Sequence, residues 1–324
     1  MIKKIEISHK TIIFTVLFLV FLWVLYQIRD VILIFFVSLL IMTILNPIVT
    51  RLSRFKIPRS LSIAALYLII FTLLGFSIAG LVPILVEQTS SFANGLPKYL
   101  ENIGISTFLS EQVIEQIVSQ VGNLPGYAVR LGLTIFSNVL AVVMVLFFAF
   151  YLLLSRDKIN DQLAVILGEN KKKFIGSLLD SIEVRLGGWA RGEMILMLVV
   201  GIMSFIGFTI LGIPYSLPLA ILAGLLEIVP TIGPIIAAIP AVIIGLSISP
   251  FVAIAITALV FLIQQLENYI LVPKIMEKSV GVSPIATLLC LAVGLRLAGV
   301  VGVLISVPVF ILLQVIVKAY LSSK

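Results

Sequence analysis

A chain of 324 residues with 61% hydrophobic and 11% charged residues lies far outside the soluble range of about 45–50% apolar and about 25% charged. With a mean hydropathy of +1.25 it reads as a membrane protein, which excludes disorder, a collagen or disulfide scaffold, and a second soluble domain of ordinary size. The net charge of +7 sits in clusters between apolar runs, where it sets topology and meets anionic headgroups, so the expected partner is the lipid bilayer and not nucleic acid.

A helical span needs about 20 apolar residues. Residues 11–28 and 31–44 form the first pair of runs, joined by a tight polar turn at Arg29 and Asp30. The first run lacks a small-residue cleavage site and a second follows at once, so it is expected to remain in the mature protein. Residues 61–86, 131–154 and 194–213 follow as single spans, each bounded by charge or proline. Lys3, Lys4 and Lys10 precede the first run, and Arg51, Arg54, Lys56 and Arg59 follow the second. Arg156, Lys158, the triplet Lys171, Lys172 and Lys173, and Arg185 follow the fourth, whereas residues 87–130 hold two basic residues against four glutamates. Loop charge therefore predicts an external segment over 87–130 and cytoplasmic termini in the plasma (inner) membrane.

Two connecting segments carry helical periodicity. In the external one, Leu109, Val113, Ile117 and Val121 recur at i+4 opposite Glu111 and Glu115, a pattern that suits a helical cap or a vestibule. In the inner one, Phe174, Leu178, Ile182 and Leu186 form a stripe before Trp189, read as an interfacial helix on the leaflet or a solvated linker helix. The expected organisation is N-terminal transmembrane helices over 1–86 and the external helical segment over 87–130. A span plus amphipathic segment follows over 131–190, then a C-terminal transport core over 191–324.

Beyond Ile213 the pattern changes. Residues 218–246 are a continuous apolar run of 29 residues, about 44 Å as one helix, longer than a core of about 30 Å. The run contains Glu227, Pro230, Gly233, Pro234 and Pro240, and interior prolines remove helical hydrogen bonds. It should break between Pro230 and Pro234. Non-helical backbone at membrane depth persists only where it is buried in protein or lines a cavity, so a break beside a carboxylate is a candidate binding site. Residues 284–320 raise the same difficulty, with 37 residues interrupted by Gly294, Arg296, Gly299, Gly302 and Pro308. Between them, residues 251–271 end in Gln264, Gln265, Glu267 and Asn268.

The fold class is thus all-α and polytopic, with six to eight transmembrane helices including two Pro/Gly-broken segments. Either each broken run crosses once, or each is a re-entrant hairpin. Loop charge at Lys274 and Lys278 favours the hairpins, and paired interrupted segments point to a transporter's central site.

A charge near the bilayer centre costs about 2.5–3.5 kcal/mol on insertion scales, so the acids Glu227 and Glu267 and the base Arg296 need a cavity or a partner. One acid is expected to pair with Arg296, leaving the other free to exchange a proton or cation. An ion-pair network that only fixes packing is the alternative. Arg191 and Glu193 stand at the start of the fifth span, where Arg191 reads as an interfacial anchor. The glycines of the fifth span and of the pair Ala298 and Gly302 suit close helix approach.

No G-x-x-x-x-G-K-[ST] sequence occurs, and the only histidine is His9. A P-loop, a histidine metal site, a Ser-His dyad and a pair of intramembrane aspartates are therefore all lacking. No voltage-sensor arginine repeat or T-V-G-Y-G filter is present either. The expectation is a non-enzyme without cofactor or metal.

The stretch Leu226-Glu227-Ile228-Val229-Pro230-Thr231-Ile232-Gly233-Pro234 with Pro240 resembles the autoinducer-2 exporter family of prokaryotic membrane proteins. So do Gln264-Gln265-Leu266-Glu267-Asn268 with Val272-Pro273, Gly281-Val282-Ser283-Pro284, and Gly299 and Gly302 followed by Val307-Pro308. The likeness is strongest in the C-terminal half. Thr231, Tyr269 and Glu193 depart from the tyrosine, asparagine and glutamine common there. The resemblance implies export of a furanone-type quorum-sensing signal or Na⁺(Li⁺)/H⁺ antiport, and a homo-oligomer, specifically a pentamer, with protomers that move a hairpin-bearing unit.

Three functional readings follow. The first is secondary export of a small polar solute such as autoinducer-2, with Glu227, Pro230, Gly233, Pro234, Gln264, Glu267 and Asn268 at the site and Arg296 neutralising one acid. The second keeps the site but makes it an antiporter for a monovalent cation and a proton. The third is a non-transporting membrane scaffold.

Overall fold

A computed structural model describes residues 9–102, 112, 116, 119, 139–167, 172–230, 232–276 and 284–322. Among them the elements are helices: α1 (His9–Gln27), α2 (Arg29–Ser53), α3 (Arg59–Asn102), α4 (Val139–Leu167), α5 (Lys172–Ile210), α6 (Ser216–Leu226), α7 (Ile232–Ile248) and α8 (Pro250–Leu266). A π-helical turn over Glu267–Leu271 leads from α8 into α9 (Val272–Met276), and α10 (Pro284–Ser322) ends the chain. Six helical stretches are long and apolar enough to cross a membrane: Arg29–Ser53, Arg59–Phe92, Val139–Arg156, Phe174–Ile210, Pro250–Met276 and Val301–Leu321. The protein is an all-α polytopic membrane protein.

The start of the chain differs from the sequence expectation. Only Ile28 separates α1 from α2, and helical hydrogen bonds run through it, from its N–H to the Val24 carbonyl and from the Ile32 N–H to its own carbonyl. A helical reversal needs a loop of about 2–5 residues. No antiparallel turn forms at Arg29, whose guanidinium instead lies over the Tyr26 ring, 4.5 Å from its centroid. The periodic stripe at 109–121 lies outside the described residues, apart from positions 112, 116 and 119.

α2 is the hub of the N-terminal half, packing on α3, α4 and α5. Met42, Leu45, Val49, Ile63 and Leu153 form its apolar core. Side-chain hydroxyls tie the helices together, because an apolar surround leaves carbonyls as their partners. Ser38 donates to the carbonyls of Ile34 (2.7 Å) and Val145 (3.0 Å), and Tyr67 donates to that of Leu146 (3.1 Å).

At the basic end of this half, Arg59 donates to the Leu153 carbonyl (2.7 Å) and to Asn46 (2.5 Å). Asn46 donates to Glu183, and Arg156 bridges Glu183 (2.7 Å) and Asp180 (2.6 Å).

Deeper in, Pro47 lacks the N–H that would serve the Thr43 carbonyl within α2. Arg191 of α5 supplies the donor at 2.7 Å. Gly187 makes room for the approach, since a Cβ there would lie 2.4 Å from the Thr43 oxygen. Arg191 is therefore a partner for backbone that proline has exposed, not only the interfacial anchor expected.

α5 runs unbroken from 172 to 210, across the boundary expected at 190/191. The stripe read as an interfacial helix belongs to this long helix: Ile182 and Leu186, with Trp189, are buried against Val307, Ile311 and Val315 of α10. Its apolar face is covered by protein and not by a leaflet.

Both broken runs fold back. α6 packs against α5 with Gly224 beside Gly201, and reverses into α7. α7 reverses into α8 through Ser249, whose hydroxyl accepts from the Val252 N–H (3.2 Å), with Pro250 opening the next helix. α10 breaks at Ala298 and Gly299, and Gly299 adopts φ +58, ψ −139, a conformation open to glycine. On a straight helix Gly294 and Gly302 would lie about 12 Å apart. Here a Cβ on Gly302 would lie 1.9 Å from the Gly294 oxygen. The two arms cross there, backbone on backbone.

That crossing has a measurable consequence. Gly302→Val will destabilise the protein by about 1–3 kcal/mol or more through overpacking, whereas Gly75→Ala, with nothing within 4 Å of the new methyl, will be neutral or stabilising by up to about 1 kcal/mol. Thermal melting of the purified protein will report both. In a Cys290→Ala background, cysteines at Phe55 and Lys274 will react with an impermeant reagent from the same side of the membrane. Labelling of the two from opposite sides would contradict the fold-back of α6 and α7.

Candidate functional site

The break between α6 and α7 follows from its prolines. Pro230 cannot donate back to the Leu226 carbonyl, so the helix tightens, with Ile228 N–H on the Leu225 carbonyl (3.4 Å) and Val229 N–H on that of Leu226 (3.0 Å). The Gly233 N–H then reaches the Val229 carbonyl (2.9 Å) and the Ile232 N–H that of Pro230 (2.8 Å). The non-helical backbone is thus hydrogen-bonded within the turn. Gly233 is required by the close approach: a Cβ would fall 1.8 Å from the Leu226 oxygen. Pro234 sits in the first turn of α7, where its missing N–H has no helical acceptor to lose.

Glu227 caps α6, with its N–H on the Ala223 carbonyl (3.2 Å) and its side chain 1% exposed. Glu267 approaches from the end of α8 and is also buried. Pro273 is the reason for the π turn there: an α-helical proline would collide with the carbonyl four residues back, that of Tyr269, and the widened turn over Glu267–Leu271 precedes it. The two carboxyls stand close enough at the break to act on each other electrostatically. Gln264 donates from Nε2 to Glu267 Oε2 at 2.5 Å. Oε2 of Glu227 is buried with no partner among the described residues.

The structure therefore brings together Glu227, Gln264 and Glu267 around the backbone of Pro230, Gly233 and Pro234. It does not bring in the other two residues expected. Asn268 follows Glu267 by one helical step and is exposed, and Arg296 is exposed on the first arm of α10. Among the described residues Arg296 makes no ion pair with either acid. The pairing expected from counting charges fails because the fold-back of α10 places its first arm away from the break.

A third acid takes the place where a base was expected. Glu193 of α5 is 4% exposed, on the helix that packs against α6, α8 and the π turn, and lies near Glu227 and Glu267. Sequence reasoning assigned it to the start of a span. The signal that would have found it is the buried face Leu186, Trp189, Glu193, Leu196, Val200 and Ser204, spaced by three or four residues along one continuous helix. Among the described residues the acids do not converge closely enough to chelate a metal ion.

Fold and site together define a polytopic helical membrane protein with two fold-back hairpins and a buried carboxyl cluster that forms no ion pair with a base among the described residues. The chain belongs to the family described as AI-2E family transporter, which it matches over residues 12–322. It is 30% identical to YueF of Bacillus subtilis over 86% of this chain and 79% of that protein. It is 25% identical to YrrI of the same organism, over 89% and 86%, and 27% identical to MT0215 of Mycobacterium tuberculosis, over 89% and 82%. It is a membrane transporter.

Gly233→Ala tests whether the close approach holds the site together. It will cost about 1–3 kcal/mol by overpacking, lowering the melting temperature although it adds one methyl. An unchanged melting curve would show that the turn has room the structure denies it.

Proposed function

We propose that this transporter exports a small polar solute, such as a quorum-sensing signal of the autoinducer-2 kind, and couples that export to a proton or monovalent cation exchanged at Glu227 and Glu267. The observation that carries the coupling is the carboxyl pair itself, two buried acids at a helix break that form no ion pair with a base among the described residues. One exchangeable positive charge must reside on such a pair, and a structural pair would instead be matched to an arginine or lysine. Unwound backbone at the break offers carbonyl oxygens to a cation or to solute hydroxyls, as interrupted helices do in secondary transporters.

A second reading is Na⁺(Li⁺)/H⁺ antiport at the same site, with Glu227 or Glu267 alternating between a proton and a hard cation; the excess of buried acid there, Glu193 included, favours a cationic over an anionic passenger. In both readings the protein acts in the plasma membrane with cytoplasmic termini, as its loop charge suggests, and its protomers assemble as a homo-oligomer. Catalysis plays no part.

Liposomes loaded with autoinducer-2 and an internal pH dye separate the readings. Solute release on imposing a proton gradient, abolished in Glu227→Gln, is the expected result for export. A pH response to a Na⁺ or Li⁺ pulse without solute, abolished in the same variant, would make antiport the activity. Silence in both assays from folded protein would overturn both.

A further inference from the structure

Next to the carboxyl pair, α5, α6, α7 and α8 enclose a small cavity of about 10 Å³, room for one water molecule. Phe208, Ala223, Pro234 and Ala237 are among its apolar walls, and Ser204 and Gln264 are the two polar side chains that line it. Ser204 is 3% exposed, yet its hydroxyl has no hydrogen-bond partner among the described residues. The hydroxyls of Ser53 and Ser62 are likewise without a partner among the described residues. The helical hydroxyls of Ser38, Ser181, Thr209, Ser247, Thr257 and Ser306 all donate to a carbonyl three or four residues back, the ordinary solution for a hydroxyl in an apolar helix. Gln264, across the cavity, uses its amide nitrogen on Glu267 and retains its carboxamide oxygen as an acceptor.

We propose that this cavity is a binding site for one water molecule, held between the Ser204 hydroxyl and the carboxamide oxygen of Gln264, and that Ser204 is thereby a positioning residue for the contact of Gln264 with Glu267. The two polar groups are what a buried water requires, and apolar walls isolate it from other partners. The contact with Glu267 turns the NH₂ toward the acid, and the water then holds the carboxamide in place from its oxygen end. The bearing of this water on transport rests on the proposed role of the carboxyl pair; its presence does not.

Infrared difference spectra of the full-length protein in nanodiscs, exchanged into D₂O and into ¹⁸O-labelled D₂O, test the proposal without any transport step. The native protein should show a sharp O–D stretch, separate from bulk water, that shifts on ¹⁸O labelling. Ser204→Val, which fills the space and removes the hydroxyl, should lose that band and also alter the glutamic acid carbonyl region, as Gln264→Leu does. Ser204→Ala should shift the band, and it decides alone if Ser204→Val does not fold. No ¹⁸O-sensitive band in the native protein, or a band unchanged in the folded serine variants, would overturn the water site. Loss of the band with an unaltered carbonyl region would overturn the positioning role. Loss of the band and an altered carbonyl region in a protein silent in liposomes would refute the transport reading and leave this site standing.

Discussion

A polar group carried into an apolar surround must find its partner inside the chain, and the central architecture of this protein is a set of answers to that requirement. Where Pro47 strips the Thr43 carbonyl of its helical donor, Arg191 provides one, and Gly187 lets the two helices close on it. Where Pro230 and Pro234 end α6 and delay α7, the turn bonds its own backbone, and Gly233 permits the chain to pass against Leu226. Where Pro273 would collide with the preceding turn, a π turn intervenes. Each proline opens the backbone and a specific neighbour closes it. The carboxyls of Glu227 and Glu267 are set at two of these openings.

What distinguishes the site from a structural ion pair is that neither acid pairs with a base among the described residues. The basic-end network of Arg59, Asn46, Glu183, Arg156 and Asp180 matches its charges with short contacts. Ten residues beyond Glu183 on α5, Glu193 joins two further acids with no such counterpart among the described residues. Buried pairs deprived of one partner are costly, and the proposed function has protons or cations supply the balancing charge. A transporter family is the setting in which an exchangeable charge has a use.

Much of this was legible in the sequence. Run lengths against bilayer thickness marked out most spans, and prolines with glycines located the first break to within a few residues and bracketed the second between Gly294 and Pro308. The cost of intramembrane charge singled out Glu227 and Glu267. The misreadings share one cause, the use of charge as a boundary marker. Arg29 and Asp30 looked like a turn, but helical bonding passes straight through Ile28. Arg191 and Glu193 looked like the start of a span because two charges stood together, although α5 had begun at Lys172. Arg296 looked like a partner because signs balanced. Which carboxyl meets which base depends on the direction in which an arm folds back, and Ala298 and Gly299 decide that through backbone angles that composition does not specify. Ser204 was illegible for a related reason: a hydroxyl on a helix is usually bonded to its own backbone, and only packing reveals one that is not.

The claim most exposed to experiment is that Glu227 and Glu267 hold one exchangeable positive charge between them. Purified protein in detergent and weak buffer, given Na⁺ or Li⁺ in steps, allows released protons to be counted directly with a pH electrode. Release of roughly one proton per chain, as two coupled carboxyls sharing a single proton require, and its disappearance in both Glu227→Gln and Glu267→Gln, is the predicted result. No release across neutral and alkaline pH from folded protein, or release undiminished by either substitution, would contradict it.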